Sequence, residues 1–184
     1  MDWCGGIRRH SDTFGFQQFP RANRGVSAQS TTYERALTLL GFRARSVAEL
    51  RRKLIEKGAP KAEVEEVLAR LAAQKLLDDA DFARQFARAR ITGPGASRIR
   101  ILQELRRKGV ASDVAERALD ELEEDEGLDA SASIQRVAEK KWNTLAKLDD
   151  FTRRRRLYGF LARRGYNPDE IRSAMNALGA EADA

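Results

Sequence analysis

Few residues in this chain have types and spacing suited to chemistry. Asp78, Asp79 and Asp81, in the stretch LDDADFAR, place three carboxylates within one helical turn, a set able to hold a divalent cation. The same three at a helix start are ordinary capping, because free backbone N–H groups and the positive end of the helix dipole favour anions there. Capping is the reading adopted. The loop TGPGASR, residues 92–98, lacks the Lys-Ser/Thr pair and the preceding strand of a phosphate-binding loop, and it reads as a turn. The only histidine, His10, and the only cysteine, Cys4, lie near the N-terminus. They supply no Cys/His metal set and no nucleophile–histidine–carboxylate combination. The expectation is a non-enzyme that needs no cofactor and no metal.

What remains is cation chemistry. The candidates for contact with a partner or nucleic acid are Arg51, Arg52 and Lys53, then Arg98, Arg100, Arg106 and Arg107. Arg153, Arg154, Arg155, Arg156, Arg163 and Arg164 complete the set. Four consecutive arginines span slightly more than one helical turn, so some must face away from a core. Their planar forks suit bidentate pairing with carboxylate or phosphate. Two readings stand side by side: a solvated face, or a docking strip for an acidic groove or bound nucleic acid.

The elements that position these residues are helices. Charged residues make up 34% of the 184 and aromatics 7%, and no proline occurs between Pro94 and Pro168. That composition favours helix over sheet. A net charge of +6 and a pI near 9.8 suit a polyanion or an acidic protein face. No apolar run approaches the roughly 18 residues of a membrane span, there is no hydrophobic signal segment, and one cysteine gives no disulfide. A cytoplasmic protein without a membrane partner is expected. Residues 1–30, without periodicity, read as a flexible extension.

From Thr32 onward a unit recurs around Gly58, Gly109 and Gly165. Eight residues before each glycine stand Leu50, Ile101 and Leu157; four before stand Leu54, Leu105 and Leu161. Ten after stand Leu68, Leu119 and Met175; thirteen after stand Leu71, Leu122 and Leu178. Such spacings keep one apolar face per helix. Lys57, Lys108 or Arg164 precedes the glycine, as suits a helix C-terminus closed by a left-handed cap. Pro60, Ser112 or Asn167-Pro168 opens the helix that follows. Leader helices are placed at about 32–42, 79–91 and 130–146. The expectation is all-α: three tandem three-helix repeats at 31–76, 77–127 and 128–179, with a short tail at 180–184. They would form an elongated, curved array; a single compact bundle is the alternative.

Several blocks together carry a family resemblance: RSVAELRRKLIEKG, then VLARLAAQKLLDDADFARQFARAR, GASRIRILQELRRKGV and RRRRLYGFLARRGYNPDEIRSAM. The chain over about 32–178 resembles the regulatory protein RecX family. The resemblance implies a modular all-α protein that binds the recombinase RecA and the RecA–DNA filament. It implies modulation, mostly inhibition, of RecA ATP hydrolysis, strand exchange and co-protease activity, in recombinational repair and the SOS response. A monomer is expected. The 30-residue extension departs from the family pattern.

Charge is polarised in the middle unit. Residues 84–108 hold eight cations against Glu104 alone, and residues 113–129 hold nine acids against Arg117 alone. Neutralisation within that unit is one reading of the pattern. In a DNA-reading helix-turn-helix the second helix presents basic or amide side chains to the major groove. Here that helix carries Asp113, Glu116, Asp120 and Glu121, and in the first unit Glu63, Glu65 and Glu66, so base readout is disfavoured. Sequence-tolerant DNA binding without a protein partner is the alternative function. Phe82, Phe86, Trp142, Phe160 and Tyr166 are read as packing residues.

Overall fold

The computed structural model describes residues 31–182, the last four through their backbone alone. The readings on residues 1–30, including Cys4 and His10, therefore lie outside the described residues. The described chain is helical, with no strand. Its elements are α1 (Thr32–Phe42), α2 (Val47–Glu56), α3 (Lys61–Ala73), α4 (Asp79–Thr92), α5 (Arg98–Arg107), α6 (Ser112–Glu126), α7 (Ser133–Thr144), α8 (Asp150–Ala162) and α9 (Pro168–Ala182). The last runs into the stretch set apart above as a C-terminal tail.

Each helix starts for a local reason where its N-cap can accept a hydrogen bond. Thr31 and Glu34 form a capping box on α1. Ser46, Asp78, Ser97 and Asp149 accept backbone N–H bonds at the starts of α2, α4, α5 and α8. Asn167 does so for α9. The expectation of capping chemistry at Pro60 and Ser112 is corrected: α3 starts behind Pro60 and α6 behind Ala111, and neither has a side-chain cap. These two helices follow directly on a closed turn and are held by their buried faces. The third leader helix starts at Ser133, because Asp129 spends its carboxylate on the N–H groups of Ser131 and Ala132, a turn later than expected.

The helices group in threes, each group around its own apolar core. Leu50, Leu54, Val64, Leu68 and Leu71 close the first. Phe82, Ile101, Leu105, Leu119 and Leu122 close the second, and Trp142, Leu157, Leu161, Ile171 and Leu178 the third. Every periodic apolar residue named around the three glycines is buried except Met175, which packs half-buried on the third core. Gly58, Gly109 and Gly165 adopt φ of 85°, 81° and 87°, a left-handed conformation that closes the middle helix of each unit. The residue after each, Ala59, Val110 or Tyr166, is buried against its own unit.

The units meet at narrow polar junctions of the same design. At the first, the Ser46 hydroxyl donates to the Lys108 carbonyl while accepting from the Glu49 N–H. At the second, the Ser97 hydroxyl donates to the Gly165 carbonyl at 2.7 Å, and the Ser97 N–H to the Arg164 carbonyl at 3.1 Å. The carbonyl end of one unit's middle helix thus rests on the N-terminus of the previous unit's middle helix, a favourable meeting of opposite dipole ends. An added Cβ on Gly109 would collide with the Ala48 side chain, and one on Gly165 would stand 2.7 Å from the Ser97 hydroxyl and 2.8 Å from Arg100 Cβ. A Cβ on Gly58, in the first described unit, would meet no described atom within 4 Å. Separate cores joined only between neighbours make an elongated array.

Candidate partner-binding surface

The cations singled out in the sequence divide once their partners are seen. In the first unit, Arg51 forks onto Glu65 at 2.7 and 2.8 Å, and Arg52 and Lys53 both reach Glu56. In the second, Arg98 pairs with Asp120, and Arg100 and Arg90 share Glu104. Arg84 pairs with Glu121 and Arg88 with Glu126, both from α4 to α6. Of the nine acids at 113–129, Asp120, Glu121 and Glu126 meet the basic stretch; of its eight cations, five pair within the unit and Lys108 pairs with Glu49 across to the first unit. Arg106 and Arg107 are the exceptions: both are exposed and neither forms an ion pair with a described residue.

In the third unit the four-arginine run splits by helical phase. Arg153 turns inward, its guanidinium 3.5 Å from the centre of the Trp142 ring and donating to the Trp142 carbonyl at 3.0 and 3.2 Å. Arg154 pairs with Asp150 at 2.7 Å, one turn back. Arg155 and Arg156 stay exposed without an ion pair or hydrogen bond to a described residue. The Thr152 N–H holds the Asp149 carboxyl below the usual carboxylate range, its hydroxyl adds to this, and nearby Arg155 contributes less. Arg164 is a junction residue, donating to the Pro94 carbonyl at 3.0 Å and lying 3.7 Å over Phe160; burial lowers its pKa.

Arg155 and Arg156 line a groove between α7 and α8. One basin of about 340 Å³ is bounded by Lys141, Leu145, Arg155, Arg156, Gly159, Phe160 and Arg163. An adjoining basin of about 210 Å³ shares Lys141 and Phe160 and adds Gly93, Pro94, Arg136, Val137, Lys140, Thr144 and Arg164. No carboxylate lines either basin. Lys141 and Arg164 stand 5.2 and 3.7 Å from the Phe160 ring centre, so a cation-flanked aromatic is shared by the two basins. Such a groove attracts closely spaced anionic oxygens, with arginine able to fork onto each.

The structure brings Arg155, Arg156, Arg163 and Arg164 together here and leaves Arg51, Arg52, Lys53, Arg98 and Arg100 in internal pairs. Lys140 and Lys141 were not among the sequence candidates. The signal was the pair EKKW, in which only Glu139 offers a neighbouring acid. Phe82, Trp142 and Tyr166 are buried, and Phe86 and Phe160 are half-buried, as packing residues should be. Asp78 caps α4, whereas Asp79 accepts from the Val47 N–H across the first junction at 2.9 Å. No described helix is long and apolar enough to cross a membrane.

Comparison with known proteins agrees with this architecture. Models of the first, second and third three-helix domains of RecX match residues 33–71, 78–119 and 129–175. A regulatory protein RecX from Pelodictyon phaeoclathratiforme is 38% identical over 143 residues, covering 78% of this chain and 86% of that relative. One from Halorhodospira halophila is 36% identical over 151 residues, covering 82% and 90%. The crystal structure of RecX from Lactobacillus salivarius shares the fold at a TM-score of 0.65 and 22% identity, over 82% of this chain and 96% of that one. Three helical units in tandem, joined end to end and matched in order by the three RecX domains, place this chain in the RecX family of regulatory proteins.

Proposed function

We propose that this protein binds the recombinase RecA and its nucleoprotein filament. Bound there, it modulates, mostly by inhibition, RecA ATP hydrolysis, strand exchange and co-protease activity in cytoplasmic DNA repair and the SOS response. The observation that carries the reading is the carboxylate-free basic groove of the third unit, in a chain of the RecX family. A protein–DNA filament is a long polyanion, and an extended array with several modest contacts gains affinity on it through high effective concentration. No catalytic residue is assigned, and the protein acts as a monomer. The test is RecA ATP hydrolysis on single-stranded DNA with rising amounts of this protein. The rate falls if the reading holds; an unchanged rate at saturating protein contradicts it.

The same groove favours one second reading, sequence-tolerant DNA binding without RecA. It predicts binding to an oligonucleotide in RecA-free buffer, falling steeply with salt. Negligible binding at physiological salt removes it.

A further inference from the structure

The middle helices carry a second, apolar surface, which meets the basic groove at Arg155. Among the described residues, the exposed large apolar side chains include Ile55 on α2, Ile99 on α5, and Phe151 and Tyr158 on α8, with relative exposures of 37%, 55%, 75% and 41%. They occupy equivalent positions. Ile99 and Phe151 each stand two residues after the N-cap of their helix, and Ile55 and Tyr158 each stand nine after it. Positions two and nine are two helical turns apart and share one flank. In the second unit position nine is Arg106, without an ion pair to a described residue; in the third, Arg155 lies beside the two aromatics in the helix.

We infer that this flank is a protein-docking face, with Phe151 and Tyr158 as its anchors and Ile99 as a further foothold in the next unit. The partner it fits presents apolar pockets rimmed by carboxylates, repeated along an assembly. Aromatic side chains with arginine beside them are the composition that carries binding energy at protein interfaces. Isoleucines have no ring face on which a base could stack, so a nucleic acid strand would leave Ile55 and Ile99 unused. A second copy of this chain is opposed by its own net charge of +6. The inference rests on the proposed function, which makes the partner the successive RecA subunits of the filament.

The test uses the full chain and RecA on single-stranded DNA. First, wild-type protein is titrated into the ATPase reaction; no suppression there removes the proposed function, and this face with it. Given suppression, Phe151→Ser/Tyr158→Ser needs about tenfold more protein for half effect, with unchanged circular dichroism and melting, because both side chains are exposed. Ile99→Ser shifts the same value in the same direction by less. Should the double variant lose helicity, Phe151→Ser alone decides, at the most exposed of the anchors. A half-effect concentration equal to wild type overturns the docking face and leaves the proposed function standing. A wild-type dimer in sedimentation velocity that the variant loses also overturns it, because the flank would then be a self-contact.

Discussion

Arg153 and Arg155 are two residues apart, yet they do different work. Arg153 lies on the indole of Trp142 and donates twice to its carbonyl, so Arg153→Ala should cost about 1–3 kcal/mol in urea unfolding. Arg155→Ala/Arg156→Ala should leave stability within about 0.5 kcal/mol, because neither side chain is bonded to a described residue. It should weaken partner binding and flatten its salt dependence by about 0.7 per lost phosphate contact. A double variant with wild-type salt dependence would remove the groove from the binding surface. The sequence displays four arginines but not their division. That depends on the rotation of α8 about its axis, which Trp142 on another helix sets.

Glu49 was invisible for a similar reason, since its partner Lys108 is 59 residues away. Burial pushes its carboxyl up, but hydrogen bonds from Arg43 and Lys108 outweigh that and bring it below the usual carboxylate range. A carboxyl lowered on folding adds stability above its unfolded pKa, and that contribution is lost as pH falls through the folded value. Glu49→Gln should therefore destabilise at pH 7 and converge with wild type in strong acid. A constant difference between the two urea midpoints down to pH 2 would contradict this.

At the scale of elements, the glycines make two arguments that one substitution series can separate. Gly58, Gly109 and Gly165 share a left-handed φ, so each alanine variant carries a backbone strain of about 1 kcal/mol. Only Gly109 and Gly165 also face a neighbouring unit, so Gly109→Ala and Gly165→Ala should destabilise clearly more than Gly58→Ala. Equal losses at all three would mean the junctions contribute nothing. Leu105→Ala, fully buried in the second core, should cost about 2–5 kcal/mol. The anchors, caps and helix faces were legible because they are local: spacing, a cation and a glycine suffice. The junctions were not, because Ser46 meets Lys108 across 62 residues and Ser97 meets Gly165 across 68. One part is readable in hindsight. The cap equivalent to Ser46 and Ser97 is Asp149, a carboxylate that accepts from its own helix and, unlike the two serines, has no proton to donate to a carbonyl.

At the scale of the whole molecule, three small cores linked through serine–carbonyl contacts make an extended scaffold whose charge is spent unevenly. The first two units pair most of their arginines internally, whereas in the third Lys141, Arg155, Arg156 and Arg163 line a groove. Composition and pI display an excess of cations but not which unit leaves them unpaired, because ion pairing between helices is a property of the fold. On the proposed function, this array engages the RecA–DNA filament mainly through the third unit's groove. The most direct measurement is co-sedimentation with RecA filaments on single-stranded DNA over a salt series. Wild-type protein should pellet with filaments, and Lys141→Ala/Arg155→Ala/Arg156→Ala should remain largely in the supernatant at the same salt with its helicity intact. Wild-type protein left in the supernatant at low salt, or a triple variant that pellets as wild type does, would contradict the account.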